Sequence, residues 1–280
     1  MEYDTAVKVQ RLSAFSDGTR GGNPAGVVVG ASLPSEADMQ RIAAEVGYSE
    51  TVFAAPHNPG WRVRYFSPKQ EVAFCGHATI ALGSVLAKVE GTGVFPLYIN
   101  SGQISVAANS DGTATLTSPS THSTRADPAL VDAALDLFNL ALPDLDPALP
   151  PALANAGNNH LILALRDRAR LAKMNYALEV GARLMREHEL TTINLLWAET
   201  PQRFHSRNAF AIGGVLEDPA TGAAAAALSG YLRDIKWPHD GRIDITQGED
   251  MGARSLLRAE FEQDSNAGIR VSGSTRSMAD

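Results

Sequence analysis

The sequence is poor in several features that define large classes of proteins. It contains one cysteine, Cys75, which excludes an intrachain disulfide and a cysteine-rich zinc site. Its 24 lysines and arginines are scattered and outnumbered by 31 acidic residues. A nucleic-acid partner would need a concentrated basic surface, so none is expected. No apolar run approaches the roughly 20 residues that cross a bilayer, and the N-terminus has no signal-peptide pattern. We therefore expect a cytoplasmic protein with no nucleic-acid or membrane partner.

Sequence patterns for cofactors are also missing. No glycine-rich dinucleotide motif leads from a strand into a helix, no Walker-type phosphate loop is present, and no His/Asp/Glu set has metal-ligand spacing. The sequence therefore predicts neither a cofactor nor a metal. Its 280 residues, 44% hydrophobic and 20% charged, are typical of a globular protein with one large domain or two smaller ones.

Apolar segments that alternate with turn residues predict a mixed α/β fold. A helix is expected after Ser35, because Asp38 completes a capping pattern and Gly47 supplies a stop. The stretch 127–151, rich in proline and alanine, predicts a short helix and linker-like sequence. Strands are expected at 5–14, 25–29, 51–55, 62–66, 97–99, 104–106, 113–117, 160–165 and 191–197.

Part of the chain repeats itself. Segment 74–86 aligns without gaps on segment 220–232, so that Gly76 matches Gly222. Both segments are apolar on every side, which is typical of a helix buried all round. One interpretation is a chance match among small residues. The other is a duplicated α/β unit, each copy with one buried helix, and it makes the two helix starts structurally equivalent.

The start of a buried helix offers unpaired N–H groups and about half a positive charge, which suits a carboxylate or an enolate. The alternative is that both glycines merely permit tight turns. Glu50, between a helix stop and an apolar strand, is either a partly buried general acid/base or a solvated residue. Asp218 either caps the second helix or moves a proton. His77 either passes a proton or is a hydrogen-bonded core residue. Cys75 is either a reactive thiol or inert.

Six motifs occur in a fixed order along the chain. They are segments 22–28, 49–53, 64–68, 74–78 and 217–222, followed by Gln247-Gly248. Together they resemble the PhzF-like family of phenazine-biosynthesis isomerases, which shares the diaminopimelate epimerase fold. The resemblance spans nearly the whole chain.

The resemblance implies two pseudo-symmetric α/β domains, each a curved sheet or barrel around a buried central helix, with the active site in the cleft between them. We place the N-terminal half at 1–117 and the C-terminal half at 118–265, and expect the tail, about 266–280, to pack back on the first half. The family also implies a homodimer and a cofactor-independent proton shift on a small carboxylate-bearing substrate.

The resemblance implies roles for individual residues. Glu50 matches the general acid/base, and His77 and Asp218 match its proton-relay partners. The residues implied in substrate binding are Ser49, Gly76, Gly222, Ala223, Gln247 and Gly248. Ala223 replaces the family's serine, which points to a substrate other than the phenazine precursor. Thr221 stands where two-cysteine epimerases have their second thiol, which excludes a two-thiol racemase.

Two alternatives remain open from the sequence. One is a non-catalytic binding protein that has kept the fold, as the loss of the serine at Ala223 would allow. The other is a thiol hydrolase in which Cys75 is the nucleophile and His77 its base.

Overall fold

A computed structural model describes residues 8–261 and 268–279. Residues 5–7 of the first expected strand and residues 266, 267 and 280 of the expected tail lie outside this range. The described residues form two compact units. Unit 1 comprises 8–19, 23–117 and 272–279, and unit 2 comprises 20–22, 118–261 and 268–271.

Unit 1 is a sheet with two helices. Its strands pair antiparallel except for β2 with β3 and β4 with β6, which are parallel. In chain order its elements are β1 (Gln10–Ala14), β2 (Asn23–Val29), α1 (Glu36–Val46), β3 (Glu50–Pro56), β4 (Trp61–Phe66), β5 (Glu71–Val72), α2 (Gly76–Glu90), β6 (Gly93–Ile99), β7 (Gly102–Ala108) and β8 (Thr113–Thr117).

The predicted helix after Ser35 is confirmed as α1. The Ser35 hydroxyl accepts a hydrogen bond from the N–H of Asp38 at 3.1 Å, which satisfies one of the unpaired donors of the first turn. Gly47 ends the helix at φ 72°, in the left-handed region that favours glycine. The buried face of the helix, with Met39 and Ile42, packs on Phe53 and Phe66 of the sheet. The helix thus buries one apolar face, with residues at helical spacing, against the sheet.

Helix α2 is buried along most of its length, as its apolar composition predicts. It lies close against strands β7 and β8. A methyl group on Gly83 would lie 2.6 Å from Val106 Cγ2 and 3.2 Å from Ala114 Cβ, so a glycine is needed for this close approach. Side chains of the sheet thus pack directly on the backbone of the helix.

Unit 2 contains further strands and four helices. Its elements are β9 (His122–Arg125), α3 (Pro128–Leu137), β10 (Ala152–Asn155), β11 (Asn159–Ala164), α4 (Arg168–Ala172), α5 (Leu178–Glu187), β12 (Thr192–Thr200), β13 (Arg203–Ala209), β14 (Glu217–Asp218), α6 (Gly222–Asp234), β15 (Arg242–Gln247) and β16 (Ser255–Glu260). The last strand of the chain is β17 (Arg270–Ser277). Its residues from Ser272 onward belong to unit 1, where residues 275–277 pair with β1.

The proline- and alanine-rich stretch contains the expected short helix, α3. Asp127 accepts a hydrogen bond from the N–H of Ala129 at 2.8 Å, and Pro128 occupies the first helical position, where its missing N–H does no harm. Leu130 and Leu135 of this helix pack in one apolar cluster with Met185 of α5 and Leu195 of β12. Burial on a second helix and the sheet stabilises a segment that looked linker-like.

The two units repeat one arrangement. In both, the strands pair in the same sequence of antiparallel and parallel contacts, with β10 to β14 corresponding to β1 to β5 and β15 and β16 to β6 and β7. In both, a glutamate on a two-residue strand, Glu71 or Glu217, precedes by five positions the glycine that begins the buried helix, Gly76 or Gly222. The predicted duplication and the predicted α/β fold class are confirmed.

A search of the described helices found none with both the length and the hydropathy that a bilayer crossing requires.

Candidate active site

A carboxylate and an imidazole meet in unit 1, where strand β3 begins beside the start of helix α2. Glu50 is the first residue of β3 and His77 the second residue of α2. Glu50 Oε2 lies 3.5 Å from His77 Nε2, and the two side chains are 13% and 6% exposed. The Ser49 hydroxyl lies 3.4 Å from the same nitrogen. The structure therefore brings together three of the predicted site residues.

The other ring nitrogen of His77 faces Asn23, the first residue of β2. Asn23 Nδ2 lies 3.2 Å from His77 Nδ1. With the amide donating to Nδ1, the ring carries its proton on Nε2, toward Glu50 and Ser49. Asn23 was not among the predicted site residues, although it lies inside the 22–28 motif. A buried amide at a turn is usually interpreted as a turn residue, and its partner is distant in the sequence.

Cys75 lies against the same ring. Its sulfur is 3.3 Å from His77 Nδ1 and 3.9 Å from Nε2, and it is buried. Because the sulfur contacts both nitrogens at once, it lies beside the ring and not in line with the lone pair of either one. A thiol nucleophile needs a base in line with its proton. The geometry therefore does not favour the thiol hydrolase interpretation.

Glu50, Cys75 and His77 also form a group whose possible metal-ligating atoms all lie within 4.8 Å of one another. Sequence spacing did not indicate it, because Glu50 is far along the chain from the other two. The carboxylate faces Nε2 while the sulfur lies nearer Nδ1. Because the sulfur lies beside the ring and off the lone-pair direction of both nitrogens, the thiol and the imidazole are not oriented toward one shared ion as the ligands of a tetrahedral metal would be.

Both buried helices begin at the predicted glycines, Gly76 in α2 and Gly222 in α6. The residues before them, Cys75 and Thr221, are extended, and neither side chain makes a capping bond to the first turn. Helices of 15 and 13 residues whose first N–H groups are not capped in this way suit an anion at their starts. Their roles in substrate binding stay predictions.

In unit 2, three predicted or neighbouring residues form one buried network. Gln247 Nε2 donates to the carbonyl oxygen of Asp218 at 2.7 Å and to Thr221 Oγ1 at 3.1 Å. Gln247 Oε1 accepts from the N–H of Thr221 at 3.2 Å, and Thr221 Oγ1 donates to Asp218 Oδ2 at 2.5 Å. Gln247 is 2% exposed and Asp218 8%.

The other two predicted residues of unit 2 differ in what the backbone requires of them. Gly248 has φ 70°, and a Cβ there would lie 2.6 Å from the Ala253 carbonyl oxygen and 2.7 Å from that of Pro219. Glycine is therefore needed for this turn whatever its part in binding. Ala223 is the second residue of α6 and is partly exposed. It occupies the position that His77 has in α2.

An arginine holds each two-residue strand that precedes a buried helix. In unit 1, Arg64 donates through Nε and Nη2 to Glu71 at 2.7 and 2.6 Å. In unit 2, Arg207 donates through Nε to both carboxylate oxygens of Glu217 at 3.1 Å and contacts it again through Nη2. Hydrogen bonding to Arg64 lowers the pKa of Glu71. These pairs were missed, although extending the repeat backwards to Glu71 and Glu217 would have indicated them.

The carboxylate–imidazole pair at the start of a buried helix suits an enzyme that transfers protons. The family model described as phenazine biosynthesis-like protein matches residues 12–279, and the chain belongs to this PhzC-PhzF family. The chain is 32% identical over 278 residues to trans-2,3-dihydro-3-hydroxyanthranilate isomerase of Pseudomonas chlororaphis, with 94% of both chains covered.

Solved structures show the same fold. A phenazine biosynthesis protein of the PhzF family from Bacillus anthracis matches with a TM-score of 0.86 at 22% identity, over 98% of this chain and 97% of that one. A hydroxyproline epimerase from Agrobacterium vitis matches with a TM-score of 0.66 at 11% identity, over 100% and 92% of the two chains. At these identities the likeness concerns the fold alone. The family resemblance drawn from the motifs is confirmed, the chain is an isomerase, and the non-catalytic alternative is set aside.

Proposed function

We propose that this enzyme catalyses a cofactor-independent proton shift on a small carboxylate-bearing substrate, with Glu50 as the general acid/base. The observation that carries the proposal is the pair in unit 1 between partly buried Glu50 and buried His77, with Glu50 Oε2 3.5 Å from His77 Nε2. A carboxylate needs no cofactor to take a proton from a carbon whose charge can spread into a neighbouring carboxyl group or double bond.

The reaction uses Glu50 twice. Its carboxylate takes a proton from the substrate carbon, and the electrons of the broken C–H bond move into the adjacent conjugated system. The carboxylic acid so formed then returns the proton to a different carbon, which restores the carboxylate. His77, with its proton on Nε2 and 3.5 Å from Glu50 Oε2, would hold that oxygen in one orientation between the two steps.

The substrate's negative charge has a suitable partner in the same unit. The N–H groups at the start of α2, from Gly76 onward, and the Ser49 hydroxyl beside His77 would hold a carboxylate or an enolate oxygen. The sequence also predicts that residues of unit 2 take part in this reaction, and their parts stay predictions. These residues are Asp218, Gly222, Ala223, Gln247 and Gly248. Because alanine has no hydroxyl at position 223, we expect the substrate to differ from that of relatives with a serine there.

The proposed reaction is tested by exchange of substrate hydrogen with solvent. The wild-type enzyme and the Glu50→Gln variant are incubated in D2O with trans-2,3-dihydro-3-hydroxyanthranilate, the substrate that names the Pseudomonas chlororaphis relative, and with other small unsaturated hydroxy acids. Deuterium uptake is followed by NMR and mass spectrometry. We expect loss of the general base to slow exchange by about 10²–10⁴-fold.

Glu45→Gln is the matched control, because the Glu45 side chain is 64% exposed on α1 and lies outside the site. It should exchange at the wild-type rate. Equal exchange by the Glu50→Gln variant would overturn the assignment of Glu50. Loss of wild-type activity after dialysis against a chelator would overturn cofactor independence. The predicted homodimer and cytoplasmic location are separate proposals, and light scattering of the purified protein tests the first.

A further inference from the structure

Gln247 was expected to contact substrate, but its hydrogen bonds point to another role. We propose that Gln247 is a positioning residue that fixes the Asp218 carboxylate through Thr221. This inference rests on the proposed function, because it takes Asp218 to serve the isomerase reaction.

The backbone partners of Gln247 determine how its amide is oriented. The N–H of Thr221 can only donate, so the atom facing it is Oε1. The carbonyl of Asp218 can only accept, so the atom facing it is Nε2. Nε2 therefore also donates to Thr221 Oγ1. The hydroxyl proton of Thr221 is then directed to Asp218 Oδ2.

This network uses both amide hydrogens of Gln247. One goes to the Asp218 carbonyl and the other to the Thr221 hydroxyl. The side chain is also 2% exposed, so it has neither a donor nor an accessible surface to offer a substrate. What it does offer is a fixed direction for the Thr221 hydroxyl, and hence for one oxygen of Asp218.

Unit 1 shows that the fold does not need this network. The last residue of β15 is Gln247, and the last residue of the corresponding strand, β6, is Ile99. Asp218 ends β14 where Val72 ends β5. The residue before α6 is Thr221 and the residue before α2 is Cys75.

Unit 1 therefore builds the same turn into the same buried helix with two apolar residues and a cysteine at these positions. The arginine–glutamate pair, in contrast, is present in both units. The arginine–glutamate pair, which both units share, therefore stabilises the fold. Unit 2 adds a hydrogen-bonded chain that leads from Gln247 through Thr221 to Asp218.

Kinetic constants separate the two roles of Gln247. Loss of a substrate contact that acts equally in ground and transition states raises KM and leaves kcat unchanged. Loss of a positioning residue lowers kcat and leaves KM nearly unchanged. We expect Thr221→Val, which removes the hydroxyl and keeps the shape, to lower kcat by about ten- to a hundredfold. Thr221→Ser restores the hydroxyl and should restore most of kcat.

Gln247→Leu should lower kcat to a similar extent. Combined with Asp218→Asn it should add little, because the first change removes the orientation of a carboxylate that the second change removes altogether. Gln202→Leu is the matched control, since Gln202 Nε2 also donates to a backbone carbonyl, that of Pro238, but outside the network. Its kcat should be that of the wild type. A rise in KM with unchanged kcat in Gln247→Leu, or additive losses in the double variant, would overturn the positioning role.

Crystal structures of the Thr221→Val and wild-type proteins provide a readout that does not depend on turnover. We expect the Asp218 carboxylate of the variant to rotate or to occupy two rotamers. A single Asp218 rotamer, unchanged from that of the wild type, would overturn the inference. This readout remains available even if the Gln247→Leu variant fails to fold. If wild-type protein exchanges no substrate hydrogen while the rotamer changes as expected, the proposed function fails and the positioning stands.

Discussion

His160 leads to a quantitative prediction about the dependence of stability on pH. It lies on β11 with no exposed surface, and its Nδ1 is 2.7 Å from the Thr192 hydroxyl. Within the described residues, Nε2 has no hydrogen-bond partner. Burial lowers the pKa of His160 to about 3, because a charged imidazole would lose its hydration without gaining a partner.

The direction of the effect follows from proton binding in the two states. In the unfolded chain the pKa of His160 is about 6.5, while in the folded protein it is about 3. Between these values the unfolded state binds more protons, so the free energy of unfolding falls as the pH is lowered below 6.5. Between pH 6.5 and pH 4.5, this one residue should lower it by about 2 kcal/mol.

The test compares urea unfolding of the wild type and of His160→Asn at several pH values in this range, so that the titration of carboxyl groups is common to both proteins and cancels. Tryptophan fluorescence reports on unit 2 through Trp197 and Trp237 once Trp61 of unit 1 is replaced by phenylalanine in both proteins. Asparagine can keep the bond to Thr192 but does not titrate. We expect the wild type to lose about 2 kcal/mol more than the variant. Parallel pH profiles of the two proteins would refute the reasoning.

Two further predictions concern other buried groups. Arg207→Met leaves the Glu217 carboxylate, 4% exposed, without its partner, and should lower the free energy of unfolding by about 3–5 kcal/mol in urea titrations. The control, Arg258→Met, removes an exposed ion pair with Asp244 and should change the free energy of unfolding by less than about 1 kcal/mol. Similar losses of stability in both variants would contradict the argument from burial. Cys75→Ala should exchange substrate hydrogen within about tenfold of the wild type, because the thiol is not in line with the imidazole. A loss of a hundredfold or more would make the thiol a participant.

The sequence predicted the parts of this fold that short-range patterns control. Ser35, Asp38 and Gly47 specify both ends of α1, and the two glycine-led apolar runs specify the buried helices. The strands that were not predicted are β5, β9, β10 and β13 to β17. Residues such as His122 and Arg203 are polar, and their strands gain pairing partners from farther along the chain, β10 for β9 and β15 for β13.

The sequence predicted which residues belong to the candidate site better than it predicted the contacts between them. The family motifs contained Glu50, His77 and Asp218, but no local pattern could show that Asn23 faces the ring of His77, since 54 residues separate them. Gln247 illustrates the opposite case. A motif position suggested substrate contact, whereas its burial and the direction of its hydrogen bonds support a role in orienting Asp218.

The repeat within the chain leads to one more consequence. The histidine of helix α2 has an alanine, Ala223, at its counterpart in α6, and the aspartate of β14 has a valine, Val72, at its counterpart in β5. The frame exists twice, but the predicted histidine and the predicted aspartate each exist once, in a different unit. Loss of either side chain therefore leaves no residue of the same type at the corresponding position of the other unit.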